Sequence, residues 1–127
     1  AEMGFSILFI THDLSLMVEF SDRIGVMYAG KLVELASARD LFDAPLHPYT
    51  QGLLASFPPL TGEKTRLTGI AGAPPDLLTP PPGCRFHPRC PLADVRSRTL
   101  EPALVEVRRD HFVACHRACD PLEGVSA

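Results

Sequence analysis

No proline occurs before Pro45 and no cysteine before Cys84, although the chain holds 13 prolines and four cysteines in 127 residues. A long apolar run is also missing. The most apolar stretch, Phe5-Ser6-Ile7-Leu8-Phe9-Ile10, falls far short of the ~20 residues a membrane helix needs and has no basic segment before it. Neither a membrane span nor a leader is read from it. Charge of one sign is not in excess, since the formal net charge is −3 with 21% charged and 46% hydrophobic residues. That balance argues against wholesale disorder and against nucleic-acid binding by bulk charge. The size suits one modest domain with a thin core.

What is present divides in two. Residues 1–44 carry three basic against seven acidic side chains, and the remainder nine against eight. Seven prolines crowd between Pro74 and Pro91, so composition and charge change together near Pro45. The chain begins with Ala and enters the apolar run within five residues, which we read as a start inside a domain.

The first half has α/β patterning. Residues 5–10, apolar with β-branched and aromatic members, predict a strand buried on both faces, ended by Thr11-His12-Asp13. Asp13 suits a helix N-cap, and Leu14, Met17, Val18 and Ser21 recur at helical spacing over about two turns. Arg23 to Tyr28 reads as a strand, Ala29-Gly30 as a tight turn and Lys31 to Leu35 as the returning strand. Ser37 and Asp40 have capping-box spacing before a short helix ending near Asp43-Ala44. His12 thus sits at the C-terminal tip of a buried strand, where open α/β sheets bind ligands, but a single His after a strand is more often a structural hydrogen-bonding group.

The strings Ile7-Leu8-Phe9-Ile10-Thr11-His12-Asp13-Leu14 and Asp22-Arg23-Ile24-Gly25-Val26-Met27-Tyr28-Ala29-Gly30-Lys31-Leu32-Val33-Glu34 closely resemble the end of an ABC-transporter ATPase domain. The resemblance implies that His12 is the switch histidine, which contacts the ATP γ-phosphate and helps hold the attacking water. Imidazole suits that work, because one nitrogen donates to a phosphate oxygen while the other accepts. No string in the sequence matches a Gly-rich phosphate loop, the Leu-Ser-Gly-Gly-Gln signature or a strand ending Asp-Glu. The 127 residues by themselves are therefore not expected to hydrolyse ATP.

In the second half, Pro48 is placed for the first turn of a helix through Leu53, Leu54 and Ala55. The string His47-Pro48-Tyr49-Thr50, and later Ala73-Pro74-Pro75-Asp76-Leu77-Leu78 with Pro81-Pro82-Gly83-Cys84, resemble the C-terminal extension of oligopeptide and dipeptide importer ATPases, a family that also includes nickel uptake. His47 is given a capping or packing role on a surface helix. Residues 57–83 read as extended or polyproline-like chain, with one short strand from Leu67 to Ile70.

The four cysteines, Cys84, Cys90, Cys115 and Cys119, fall within 36 residues. With no export signal the expected compartment is reducing, which favours a metal site or free thiols over disulfides. Seven arginines against four acids between Cys84 and Arg117 predict a positive field that stabilises thiolates. The resemblance implies a [4Fe-4S] pattern at Cys84, Cys90 and Cys115, with Ser97 where a further cysteine is expected and Cys119 as a substitute; zinc is the other centre such a set would hold. His87 and His116 are reserve ligands.

The fold class expected is α/β: residues 1–44 as the C-terminal end of a P-loop ABC ATPase domain, and residues 45–127 as a proline-rich, cysteine-containing extension. The resemblance implies ATP and Mg²⁺ as cofactors of a full-length ATPase. It also implies transmembrane permease subunits and a second ATPase subunit as partners, an extracytoplasmic peptide-binding protein as an indirect one, no nucleic acid, and a peripheral place on the cytoplasmic face of the inner membrane. Two other readings are a stand-alone four-cysteine metal-binding interaction module and an inert fragment that does not fold by itself.

Overall fold

The computed structural model describes residues 4–56, 69–70 and 72–119, without the side chains of Ser15 and Cys119. It is a mixed helix and strand structure whose centre is a four-stranded antiparallel sheet.

Helix α1, Leu14–Phe20, starts at Asp13, whose Oδ1 accepts from Leu16 N at 3.2 Å. Strands β1, Arg23–Tyr28, and β2, Lys31–Ser37, form the expected hairpin. Both residues of its turn have positive φ, 49° at Ala29 and 79° at Gly30, as a tight two-residue hairpin turn demands. β1 alternates strictly, with Ile24, Val26 and Tyr28 buried and Arg23, Gly25 and Met27 exposed. A bulge between Val26 and Met27 shifts the register, so that Glu34 lies opposite Val26 on the buried face. Ser37 caps helix α2, Ala38–Asp43, its Oγ accepting from Asp40 N at 3.0 Å.

Helix α3, Pro48–Ala55, follows with Pro48 in its first turn. Further along, a 3₁₀ turn, His87–Arg89, precedes helix α4, Val95–Thr99, which Asp94 caps through Ser97 N at 2.8 Å. Strands β3, Val105–Arg108, and β4, His111–Val113, make a second hairpin, and helix α5, His116–Cys119, closes the described chain. The sheet order is β1-β2-β4-β3, so β4 lies beside β2, with Glu34 opposite Val113 and Leu35 opposite Phe112. The core lies on the sheet's inner face, where Ile24, Val26, Tyr28, Val33, Ala36 and Leu41 pack with Phe86.

One expectation is corrected. Residues 5–10 form no strand, and Ile7, Leu8 and Ile10 are 76%, 89% and 88% exposed. A strand buried on both faces needs paired neighbours and a covering layer on each side; among the described residues none lies there. The sheet among the described residues is antiparallel, within a mixed helix and strand structure consistent with the α/β class expected. Beyond residues 57–83, the stretch read as extended, the second half supplies β3 and β4 to the same sheet as the first hairpin. Of the short strand expected from Leu67 to Ile70, the first two residues lie outside the described ones, and Gly69 and Ile70 are irregular.

Candidate functional site

His12 is exposed at a bend immediately before α1.

The most elaborate chemistry lies elsewhere, around a residue the sequence reading did not single out. Glu34 has no exposed side-chain surface. Its Oε1 accepts from Leu46 N at 2.7 Å and from His111 Nε2 at 2.6 Å, and its Oε2 accepts from His47 N at 3.0 Å. A carboxylate taken from water costs several kcal/mol unless donors replace the lost hydration; here backbone and imidazole N–H groups do so. The two backbone donors are also the chain leading into α3, so Glu34 places a negative charge at that helix's N-terminus.

His47 is the N-cap of α3, its Nδ1 accepting from Tyr49 N at 3.0 Å. The capping role agrees with the sequence, but the surface location does not: the ring is 1% exposed and stands 5.7 Å from the Phe86 ring. Phe86 comes from the cysteine-bearing segment and fills the space above α3. Tyr28, Tyr49 and Phe86 complete the cluster, with ring centroids 4.6 Å apart for the two tyrosines and 5.1 Å for Tyr28 and Phe86. Such tilted and edge-on pairs favour fixed geometry beyond simple burial. Burial lowers the His47 pKa to about 4, while the Glu34 charge and the Ala114 carbonyl act in the opposite direction. That carbonyl faces the ring, yet no well-formed hydrogen bond reaches Nε2 among the described residues.

The cysteine segment is pinned to the first hairpin by two arginines. Arg85 Nη1 donates to the Ala29 carbonyl at the hairpin turn. Arg89 donates to Tyr28 Oη at 3.4 Å and to the Ile70 carbonyl at 3.3 Å, with its guanidinium 6.0 Å from the Tyr28 ring centre. Cys84 N donates to the Ser97 carbonyl at 2.8 Å, so the position where a further cysteine was expected does lie beside Cys84. Its own hydroxyl is committed to Asp94 Oδ1 at 2.9 Å. Gly83 is required at this contact, since a Cβ there would stand 2.4 Å from the Ser97 carbonyl oxygen.

Cys84, Cys90 and Cys115 are free thiols close enough that each ionised sulfur would disfavour ionisation of a neighbour. Burial comes first among the causes that raise all three pKa values. This corrects the expected thiolate-stabilising field: Arg117 favours ionisation of Cys90, but desolvation outweighs it. Arg117 is also engaged, lying 3.8 Å from Asp94 and donating to the Leu92 carbonyl at 3.4 Å. His87 Nδ1 and His116 Nε2 bond to the Cys84 and Leu100 carbonyls at 2.9 and 2.8 Å, which occupies one nitrogen of each ring. Among the described residues no group of three or more His, Cys, Asp or Glu side chains is arranged to hold a metal ion. The Cys119 side chain lies outside the described residues, and nothing among the described ones supports the metal-binding module reading.

A hairpin carrying a histidine-capped helix and an arginine-pinned cysteine loop defines a small mixed α/β region in which residues from both compositional halves share one sheet. Residues 33–95 match the family described as oligopeptide/dipeptide transporter, C-terminal region. The chain is 50% identical over 115 residues to the oligopeptide transport ATP-binding protein OppD of Mycobacterium tuberculosis, covering 90% of this chain and 19% of that protein. It is 49% identical over 110 residues to the oligopeptide transport ATP-binding protein AppD of Bacillus subtilis, covering 87% of this chain and 34% of that protein. The dipeptide transport ATP-binding protein DppD of the same species is 46% identical over 110 residues. This chain belongs to the oligopeptide/dipeptide transporter C-terminal region family. It spans about a fifth to a third of the length of these relatives.

Two outcomes follow from the site. Cys115, which is buried, and the half-buried Cys84 and Cys90 have raised pKa values and should react slowly with a maleimide at pH 7 and fully after denaturation; labelling as fast in the folded as in the denatured chain would contradict this. For His47, the folded pKa of about 4 lies below the ordinary 6.5, so the folded state keeps the ring neutral where an unfolded chain takes up a proton. The associated stability is complete above pH 6.5 and is lost as pH falls toward 4, at ~1.4 kcal/mol per pH unit. Urea midpoints measured between those two pH values should fall, and His47→Asn, which keeps a capping oxygen, should flatten the fall.

Proposed function

We propose that this chain is part of the ATP-binding subunit of an ABC importer for oligopeptides or dipeptides. The observation that carries the reading is the near-half identity, over about nine-tenths of the chain, to proteins whose names state ATP binding and oligopeptide transport. In this reading residues 1–44 are the C-terminal part of the nucleotide-binding domain and residues 45–127 its extension. The shared sheet is compatible with an extension that folds back on its parent domain, since β2 belongs to one side of that division and β4 to the other.

ATP and Mg²⁺ are the cofactors of the subunit as proposed. The sequence contains no phosphate-cradling loop, so binding of the triphosphate falls to residues outside these 127. What this chain offers is His12, exposed before α1. Its imidazole N–H is suited to donate to a terminal phosphate oxygen and thereby help fix the geometry of attack. Closure of two such subunits around nucleotide would then be transmitted to transmembrane permease partners, with an extracytoplasmic peptide-binding protein delivering substrate. No helix among the described residues is long and apolar enough to cross a membrane, which fits a peripheral subunit on the cytoplasmic face. Nickel import is the other substrate class in the resemblance, and the relatives named above favour peptides.

In the full-length protein, His12→Ala should lower ATP turnover by about a hundredfold or more while leaving ATP affinity within about threefold, the pattern of a group acting mainly in the transition state. Unaltered turnover would refute the assignment of His12.

A further inference from the structure

We infer that Glu34 is a latch: through one carboxylate it holds α3 and the β3–β4 hairpin on the first hairpin, and these two pieces come away together when the latch opens. The inference stands independently of the transport reading, because it uses only contacts within this chain.

The two pieces are remote from Glu34 and from each other in sequence. Its hydrogen-bond partners stand 12 residues away at Leu46, 13 at His47 and 77 at His111. Apart from these bonds, the connection between β2 and β4 is short. It includes two paired positions, Glu34 with Val113 and Leu35 with Phe112, and the bond from Ala114 N to the Val33 carbonyl at 2.8 Å. By contrast β1 and β2 are paired from Arg23 with Ser37 through Tyr28 with Lys31. The first hairpin therefore has its own long ladder, while α3 and β4 share a single buried acceptor.

That sharing creates the coupling. When His111 leaves with β4, water reaches the carboxylate and competes for the same oxygen that Leu46 N uses. When the Leu46 and His47 amides leave with α3, His111 faces a carboxylate that is no longer sealed from solvent. Loss of either partner removes the burial that makes the other bond strong, since hydrogen bonds to a charged group gain strength from a dry surrounding. The aromatic contact of Tyr49 with Tyr28 and Phe86 moves with α3 and adds to the same unit. Local opening of contiguous units below the global unfolding free energy is the general behaviour that such a joint would produce.

The test is native-state hydrogen exchange by NMR on the 127-residue chain with two variants, Glu34→Gln and His111→Asn. His111→Asn changes only β4, yet it should accelerate exchange at Leu46 and His47 at least tenfold, together with Ala114, while the β1–β2 ladder amides change less than threefold. Glu34→Gln should accelerate the same three amides by at least as much. Acceleration confined to Ala114 in His111→Asn would overturn the latch, because the two pieces would then open separately. Equal acceleration of the β1–β2 ladder, or failure of either variant to fold, would overturn it also, since the joint would be part of one global unit.

Discussion

The Glu34 carboxylate is sealed on the core face of a β-hairpin, and the rest of the structure is arranged around the need to satisfy it. It stands opposite Val26 on one side and Val113 on the other, in a row that is otherwise apolar. An unpaired charge there would cost several kcal/mol, a large fraction of the net stability of a small domain. The chain leading into α3 therefore turns its amides toward Glu34, and β4 brings His111 to the remaining valence. The first half of the chain supplies the acceptor, and the second half supplies all three donors.

The aromatic layer follows from that placement. Once α3 is anchored by its first amides, Tyr49 meets Tyr28, and Phe86 closes over both. Arg85 and Arg89 then reach across to the hairpin turn and to Tyr28, so the cysteine loop is registered on the first hairpin rather than folded by itself. The thiols in that loop are shielded and neutral in character, which makes them part of the packing. A chain rich in proline and short of large buried side chains is held by such polar ties where a larger core would rely on area alone.

Much of the local structure was legible before the fold was known. The first hairpin announces itself by two strand-like runs around a small-residue turn, the α1 and α2 starts by Asp13 and Ser37, and α3 by Pro48, because each signal acts over a few residues. The run at residues 5–10 misled for a physical reason: apolar β-branched sequence records an environment, and this chain does not itself supply that environment. Glu34 escaped notice because a Glu in an exposed-looking hairpin strand is unremarkable until the bulge turns it inward and a histidine 77 residues away meets it. His47 was recognised as a cap from its neighbour Pro48, but its burial depends on Phe86, which no local pattern connects to it. The cysteines were legible as a cluster, whereas their protonation was not, since desolvation is a property of the packed loop.

Family membership and the physical account meet at the same place, because the matched region begins within β2 and runs through α3 to the cysteine loop. The central claim is that one buried carboxylate joins the two halves. It is tested most directly by a thermodynamic double-mutant cycle between Glu34→Gln and His111→Gln, read from denaturant unfolding. A coupling energy of about 1.5 kcal/mol or more is the result the account requires for a buried pair; additivity within about 0.5 kcal/mol would contradict it.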